Sequence, residues 1–216
     1  MSFRARIIMV VSALLLIAVY FMPFWSVTLV APQYPDGLGM YFWVDDITGH
    51  ERHDLRNINI LNHYVGMSEI HPEEFWEFDV FPWVFGFLIV FGLAVAAIGK
   101  PGLLLSWIVS FLVVAIVSFI DYYYWGYQFG HDLDPQAPIN IPGESYQPPL
   151  IGSKQLANIT AHSWPYWGFL FISLSFLGGI LAYSYDRWFR PGNTSRTKDS
   201  QNQSTQAKAK DTSHAA

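Results

Sequence analysis

Four stretches of the chain, 7–25, 80–99, 102–125 and 164–186, are apolar almost without interruption, and their only acidic or basic residues, Asp121 and Asp186, sit near their ends. A helix needs about 20 residues to cross a hydrocarbon core roughly 30 Å thick, so each stretch predicts one transmembrane helix. The second and third are separated only by Lys100 and Pro101. They read as two helices joined by a tight hairpin, with Pro101 at a turn or helix start where its missing N–H would be unpaired anyway. The first stretch follows Arg4 and Arg6 and has the outline of a secretion signal. Phe21, Met22, Pro23, Phe24 and Trp25 stand where a small-x-small cleavage site would be needed, so it is expected to remain as an anchor. The predicted fold class is an all-α membrane protein with four transmembrane helices, two structured extracytoplasmic loops and a disordered cytoplasmic tail.

The first loop, 26–79, is too long for a connection without structure of its own. Tyr34-Pro35-Asp36-Gly37-Leu38-Gly39 reads as a turn, followed by a strand-like run over 40–44. Ile58, Leu61 and Val65 then recur at helical spacing, which predicts a short helix over 57–67. The second loop, 126–163, carries Pro135, Pro138, Pro142, Pro148 and Pro149 and predicts an extended strap, since proline fixes φ and removes backbone donors. Gly152 and Ser153 read as a turn and cap before a helix over 154–162, closed by Pro165. The tail, 191–216, is mostly polar residues without apolar periodicity and is expected to be disordered. Small residues recur four apart at Gly92 and Ala96, Ser106 and Ser110, and Ser175 and Gly179, a spacing that allows close helix packing.

Composition supports the membrane reading, because 52% of the residues are apolar and only 13% charged, about half the charged share of a soluble domain. Charge placement then predicts orientation. Arg4, Arg6, Lys100, Arg187, Arg190, Arg196, Lys198, Lys208 and Lys210 lie at the termini or in the hairpin, whereas only Arg52, Arg56 and Lys154 lie in the two loops. Basic residues are retained on the cytoplasmic side, which predicts cytoplasmic termini and outer loops in a multi-pass protein of the cell inner (cytoplasmic) membrane. The formal charge of −5 comes largely from the acidic first loop and gives no sign of nucleic-acid binding. Rings at Trp25, Trp76, Trp83, Tyr122 to Tyr124, Trp125, Tyr127, Trp164, Tyr166 and Trp167 mark the outer interface.

Candidate chemistry is confined to the loops. The chain has no cysteine, which excludes thiol relays and thiolate metal sites. The spans lack the intramembrane charges that pumps and proton-coupled carriers normally keep, so transport is disfavoured. In Asn62-His63-Tyr64-Val65-Gly66-Met67 an imidazole and a thioether stand four residues apart, one turn apart on a continuous helix. That donor pair suits copper, Cu(I) above all. Met40, the other methionine of the outer loops, is the candidate third ligand beside His63 and Met67. The alternative is that both methionines fill gaps in a small outer domain while His63 bonds to a carbonyl. His50 and His53, near Asp45, Asp46 and Glu51, could suit zinc or be ordinary acidic surface. His162 could face His63 across the loops or serve only at the interface. No hydrolase, metalloprotease or phosphate-loop motif is present, so the chain is expected not to be an enzyme.

Three segments carry a resemblance to a known family: Ala31-Pro32-Gln33-Tyr34-Pro35-Asp36-Gly37-Leu38-Gly39-Met40, Ile58-Asn59-Ile60-Leu61-Asn62-His63-Tyr64-Val65-Gly66-Met67, and Pro148-Pro149-Leu150-Ile151-Gly152-Ser153-Lys154-Gln155-Leu156. They resemble small polytopic membrane proteins associated with nitrous oxide reductase maturation. The resemblance covers both loops and the order of spans, but not the tail. It implies a copper-enzyme accessory role at the outer face, with copper as the cofactor handled, a membrane or periplasmic protein as partner, and His63, Met67 and Met40 as transient Cu(I) contacts. The competing expectation is a non-catalytic structural subunit of a membrane redox complex, and a third is a small solute carrier.

Overall fold

The computed structural model describes residues 1–139, 143 and 145–189; the expected disordered tail lies outside them, as does Pro142 of the strap. Helix α1, Phe3–Leu15, is capped by Ser2, whose hydroxyl accepts the Ala5 N–H, and runs on through a 3-10 turn, Leu16–Tyr20. Helix α2 is Asp54–Val65, α3 is Trp76–Ile98, α4 is Pro101–His131 and α5 is Trp167–Trp188. Among the described residues, four helical stretches are long and apolar enough to cross a membrane: α1 with its 3-10 extension, α3, α4 and α5.

The hairpin forms as its residues predict. Gly99 ends α3 in the left-handed region at φ 72°, a conformation glycine adopts without a Cβ penalty, and Pro101 opens α4. In the bundle, α1 packs most extensively against α5 and α3, while α4 leans more lightly on α3 and α5. Trp107 is fully buried and donates its indole N–H to the Leu88 carbonyl at 2.8 Å. Its ring lies against Gly179, where a Cβ would stand 2.5 Å from the ring. Gly92 and Ala96 and also Ser175 and Gly179 are buried in the bundle, whereas Ser106 is exposed and bonds back to the Gly102 carbonyl. The amino terminus, the α3–α4 hairpin and the end of α5 meet at one end: Met1 reaches the Gly99 carbonyl, and Ser2 N–H donates to Asp186 at 2.6 Å.

The opposite end carries a sheet, which corrects the all-α expectation. Strands β1 (Trp25–Ala31), β2 (Tyr34–Phe42), β3 (Ile47–Gly49), β4 (Gly152–Leu156) and β5 (Ile159–Pro165) form one antiparallel sheet in the order β3-β2-β1-β5-β4. β1 leaves the α1 span and β5 enters α5, so the two best-packed spans continue into paired central strands, with Trp25 opposite Pro165. Gly168 permits the crossing, since a Cβ there would lie 2.9 Å from the Met22 and Pro23 carbonyl oxygens.

Three local expectations change with the sheet. The segment from Tyr34 to Gly39 lies within β2, and the tight turn is Pro32-Gln33, between paired Ala31 and Tyr34. The helix expected over 154–162 is instead the β4–β5 hairpin, turning at Ala157 and Asn158 with Ala157 at φ 51°. Ala161 and Ser163 point to the buried side and Thr160 and His162 to the other, a strand period that pairing with β1 selects over a local helix. Finally, α4 continues past position 125 to His131; at 31 residues it is about 46 Å long, well over a bilayer core. Its last turns bring Tyr122, Trp125 and Phe129 onto the sheet's core face, beside Trp25, Val27, Met40 and Phe42, with Ile58 of α2 in the same core.

Candidate functional site

The helix α2 stops where its own sequence tells it to. Gly66 adopts φ 81°, Met67 N–H bonds to the Asn62 carbonyl and Gly66 N–H to that of His63. That pair of bonds is a Schellman ending, which needs glycine at the left-handed position. A Cβ at Gly66 would also stand 2.8 Å from the Asp134 carbonyl oxygen. Met67 therefore lies beyond the helix and does not share a helical face with His63. The His63 ring is exposed and meets Tyr64 edge-on.

Met67 turns inward to a cavity of about 50 Å³ that Met40 also lines, from the core face of β2. Val27, Leu29, Ile58 and Leu61 complete an apolar wall, and Asn62, the neighbour of His63, is one of its few polar residues. Met40 is 4% exposed and Met67 is half-buried. The fold thus brings the two thioethers to one cavity and leaves the imidazole at the surface next to it. Two thioethers form a soft donor set that fits Cu(I) and not a hard cation. Among the described residues, no group of three or more His, Asp or Glu side chains is placed to hold a metal ion.

The opposite face of the sheet is polar. Thr28 on β1 pairs with Gly39 on β2 and with His162 on β5, and His162 pairs with Ser153 on β4. Directly opposed residues share a face, so this row crosses four strands. His50 lies over Gly39, where a Cβ would meet its ring at 1.9 Å. Its Nε2 bonds with Ser26 Oγ at 2.9 Å, and its ring stacks on Tyr41 at 3.9 Å. His162 Nδ1 bonds with Ser153 Oγ at 2.6 Å, so its traced contact is Ser153 and not His63.

Burial pushes the His50 imidazole below its ordinary pKa, outweighing the opposite pull of Asp54, the Met40 backbone and Glu51. Tyr41 donates to the Tyr166 hydroxyl at 3.3 Å. That hydrogen bond, then burial and the neighbouring phenol, push Tyr41 up to about 12.

Two acidic residues near His50 in the chain, Asp54 and Asp46, hold backbone. Asp54 Oδ2 accepts the Gly39 N–H at 3.0 Å and the Glu51 N–H at 3.1 Å, tying β2 to the start of α2. Asp46 accepts the Ile47 N–H in the β2–β3 turn. No family model and no curated protein sequence matches this chain.

The pairing of His50 with Ser26 and of His162 with Ser153 is the part of the site that sequence reasoning missed. The signal available was the alternation Ser26, Thr28 against Val27, Leu29, which marks a strand with one polar face. The ending of α2 was missed as well, since the expected helix ran over 57–67, although Gly66 after an apolar-periodic run is a helix stop.

Proposed function

We propose that this chain is a non-enzymatic membrane accessory protein that holds its sheet module beyond the outer leaflet and handles Cu(I) for a periplasmic copper enzyme, as the resemblance to nitrous oxide reductase maturation proteins implies. The observation that carries this reading is the convergence of Met40 and Met67 on one apolar cavity. Thioethers in a dry setting favour Cu(I) over divalent competitors that prefer imidazole or oxygen. Exposure falls from His63 through Met67 to Met40, which supports a path: the imidazole as surface contact, Met67 at the rim, Met40 within. The basic termini and hairpin support an outer position for the module, and its polar sheet face is the surface on which the partner docks.

Anaerobic Cu(I) titration of the full-length protein against a chromophoric chelator tests the thioether pair. Met67→Leu keeps the volume and removes the sulfur, so affinity is expected to fall at least tenfold, about 1.4 kcal/mol, with a similar fall for Met40→Leu. His63→Ala should slow metal transfer more than it lowers affinity. Unchanged affinity in both Met variants would leave the thioethers as packing groups and refute copper handling at this cavity. A deletion strain is expected to produce copper-poor reductase. Stable co-purification with a cofactor-bearing membrane subunit would point to the structural-subunit alternative instead.

A further inference from the structure

A second and larger cavity lies on the bundle side of the sheet, between α3, α4 and α5. Its volume is about 190 Å³, and it is partly open to the surroundings. On α3 its wall runs from Glu77 to Leu88, and on α4 from Asp121 back to Phe111. At 1.5 Å per residue both runs descend about 15 Å, half the thickness of a hydrocarbon core. The wall is apolar and aromatic except at the sheet end. There the carboxyl groups of Glu77 and Asp121 face one another, and Trp125 closes the top, stacked on Tyr122 and beside Phe75.

Two polar atoms at that end are buried without a hydrogen-bond partner: Oε2 of Glu77, an acceptor, and Nε1 of Trp125, a donor. Buried polar groups are rarely left unpaired unless something else completes them. A hydroxyl can donate to the first and accept from the second, which an ammonium or carbonyl cannot do. No Lys, Arg or His lines the cavity, and two facing carboxyls repel an anion, so the phosphate of a phospholipid is the wrong head. A dry cavity of about 150 Å³ admits one benzene ring, which is the scale of this one. Aromatic walls favour a flat ring over a branched head.

We propose that this cavity binds an isoprenoid quinol, with the aromatic dihydroxy head against Glu77 and Trp125 and the tail leaving along the α3–α4 seam into the lipid. A quinol hydroxyl donates to Glu77 Oε2 while its oxygen accepts from Trp125 Nε1. The step is binding alone; no electron leaves the head.

Calorimetric titration of decylubiquinol, kept reduced and anaerobic, into full-length protein in phosphatidylcholine nanodiscs tests it, with empty nanodiscs as the partition control. Saturable binding above the control is expected, at least tenfold tighter than that of decanol, which offers a hydroxyl and a chain but no ring. The double variant Glu77→Gln with Asp121→Asn, and Ala115→Leu, which fills the wall, should each weaken it at least tenfold. Heat equal to the empty-disc control, or equal affinity for decanol, overturns the proposal on the unaltered protein, whether or not a variant folds. Folded variants that bind as tightly as the original also overturn it, as does solvent extraction of the purified protein that yields phospholipid as the only lipid.

Discussion

The two ends of the molecule use opposite means of holding together. In the bundle, polar groups are few, and contact depends on small residues that let a large one sit between helices: Trp107 fills the space that Gly179 leaves. In the sheet module contact depends on backbone hydrogen bonds, backed by a buried carboxylate at Asp54 that accepts two N–H groups. The first is a problem of fit in a medium where lipid is as apolar as the side chains. The second is a problem of satisfying polar groups where water is excluded. The same chain solves both because the first span leads into β1 and β5 leads into α5, with β1 and β5 paired.

If that contrast is right, a change in one region should loosen it before the other, and hydrogen exchange resolved by peptide can tell the regions apart. The largest effect is expected for Asp54→Ala, which leaves the buried Gly39 N–H unpaired and removes the partner of the more exposed Glu51 N–H. Bonds to a charged acceptor contribute about 1.5–3 kcal/mol each, so a loss of about 3 kcal/mol should appear as lost protection in β2 and α2 while α1 and α5 stay protected. Equal loss in the bundle would mean that the two regions unfold as one.

Gly179→Leu comes next, because overpacking of this kind costs about 1–3 kcal/mol. The new side chain drives into the Trp107 ring, so protection should fall in α4 and α5 with the sheet less affected, and the unfolding temperature in detergent should drop. A temperature equal to that of the unaltered protein would remove Trp107 as the centre of the bundle.

The smallest effect is a pH dependence confined to the module. Burial lowers the pKa of His50, so the unfolded chain takes up this proton more readily than the folded one. Its contribution to stability is complete above about pH 6.5 and is lost as the pH falls below that value. Stability of the unaltered protein should therefore decline from about pH 7 to pH 5.5, and His50→Gln should flatten part of that slope. An unchanged slope in the variant would show that His50 titrates alike in both states.

The four rods, their hairpin and the presence of α2 were written locally, although α2 runs over Asp54–Val65 and not over 57–67. A helix closes its hydrogen bonds within about four residues, and stop signals such as Gly66 and Gly99 act on the turn they follow. Charge-free length, Pro101 after Lys100 and the run Ile58, Leu61, Val65 were therefore enough to read those elements from the sequence itself. Strands have no such autonomy: β1 satisfies its backbone only against β2 and β5, and β5 comes from the far end of the chain. The segment 154–162 carries caps and spacing that permit a helix, and pairing with β1 turned it into a hairpin. Met40 and Met67 meet, and His63 does not join them, because the tertiary structure decides which side of a strand faces the core and where the chain goes after a helix stops.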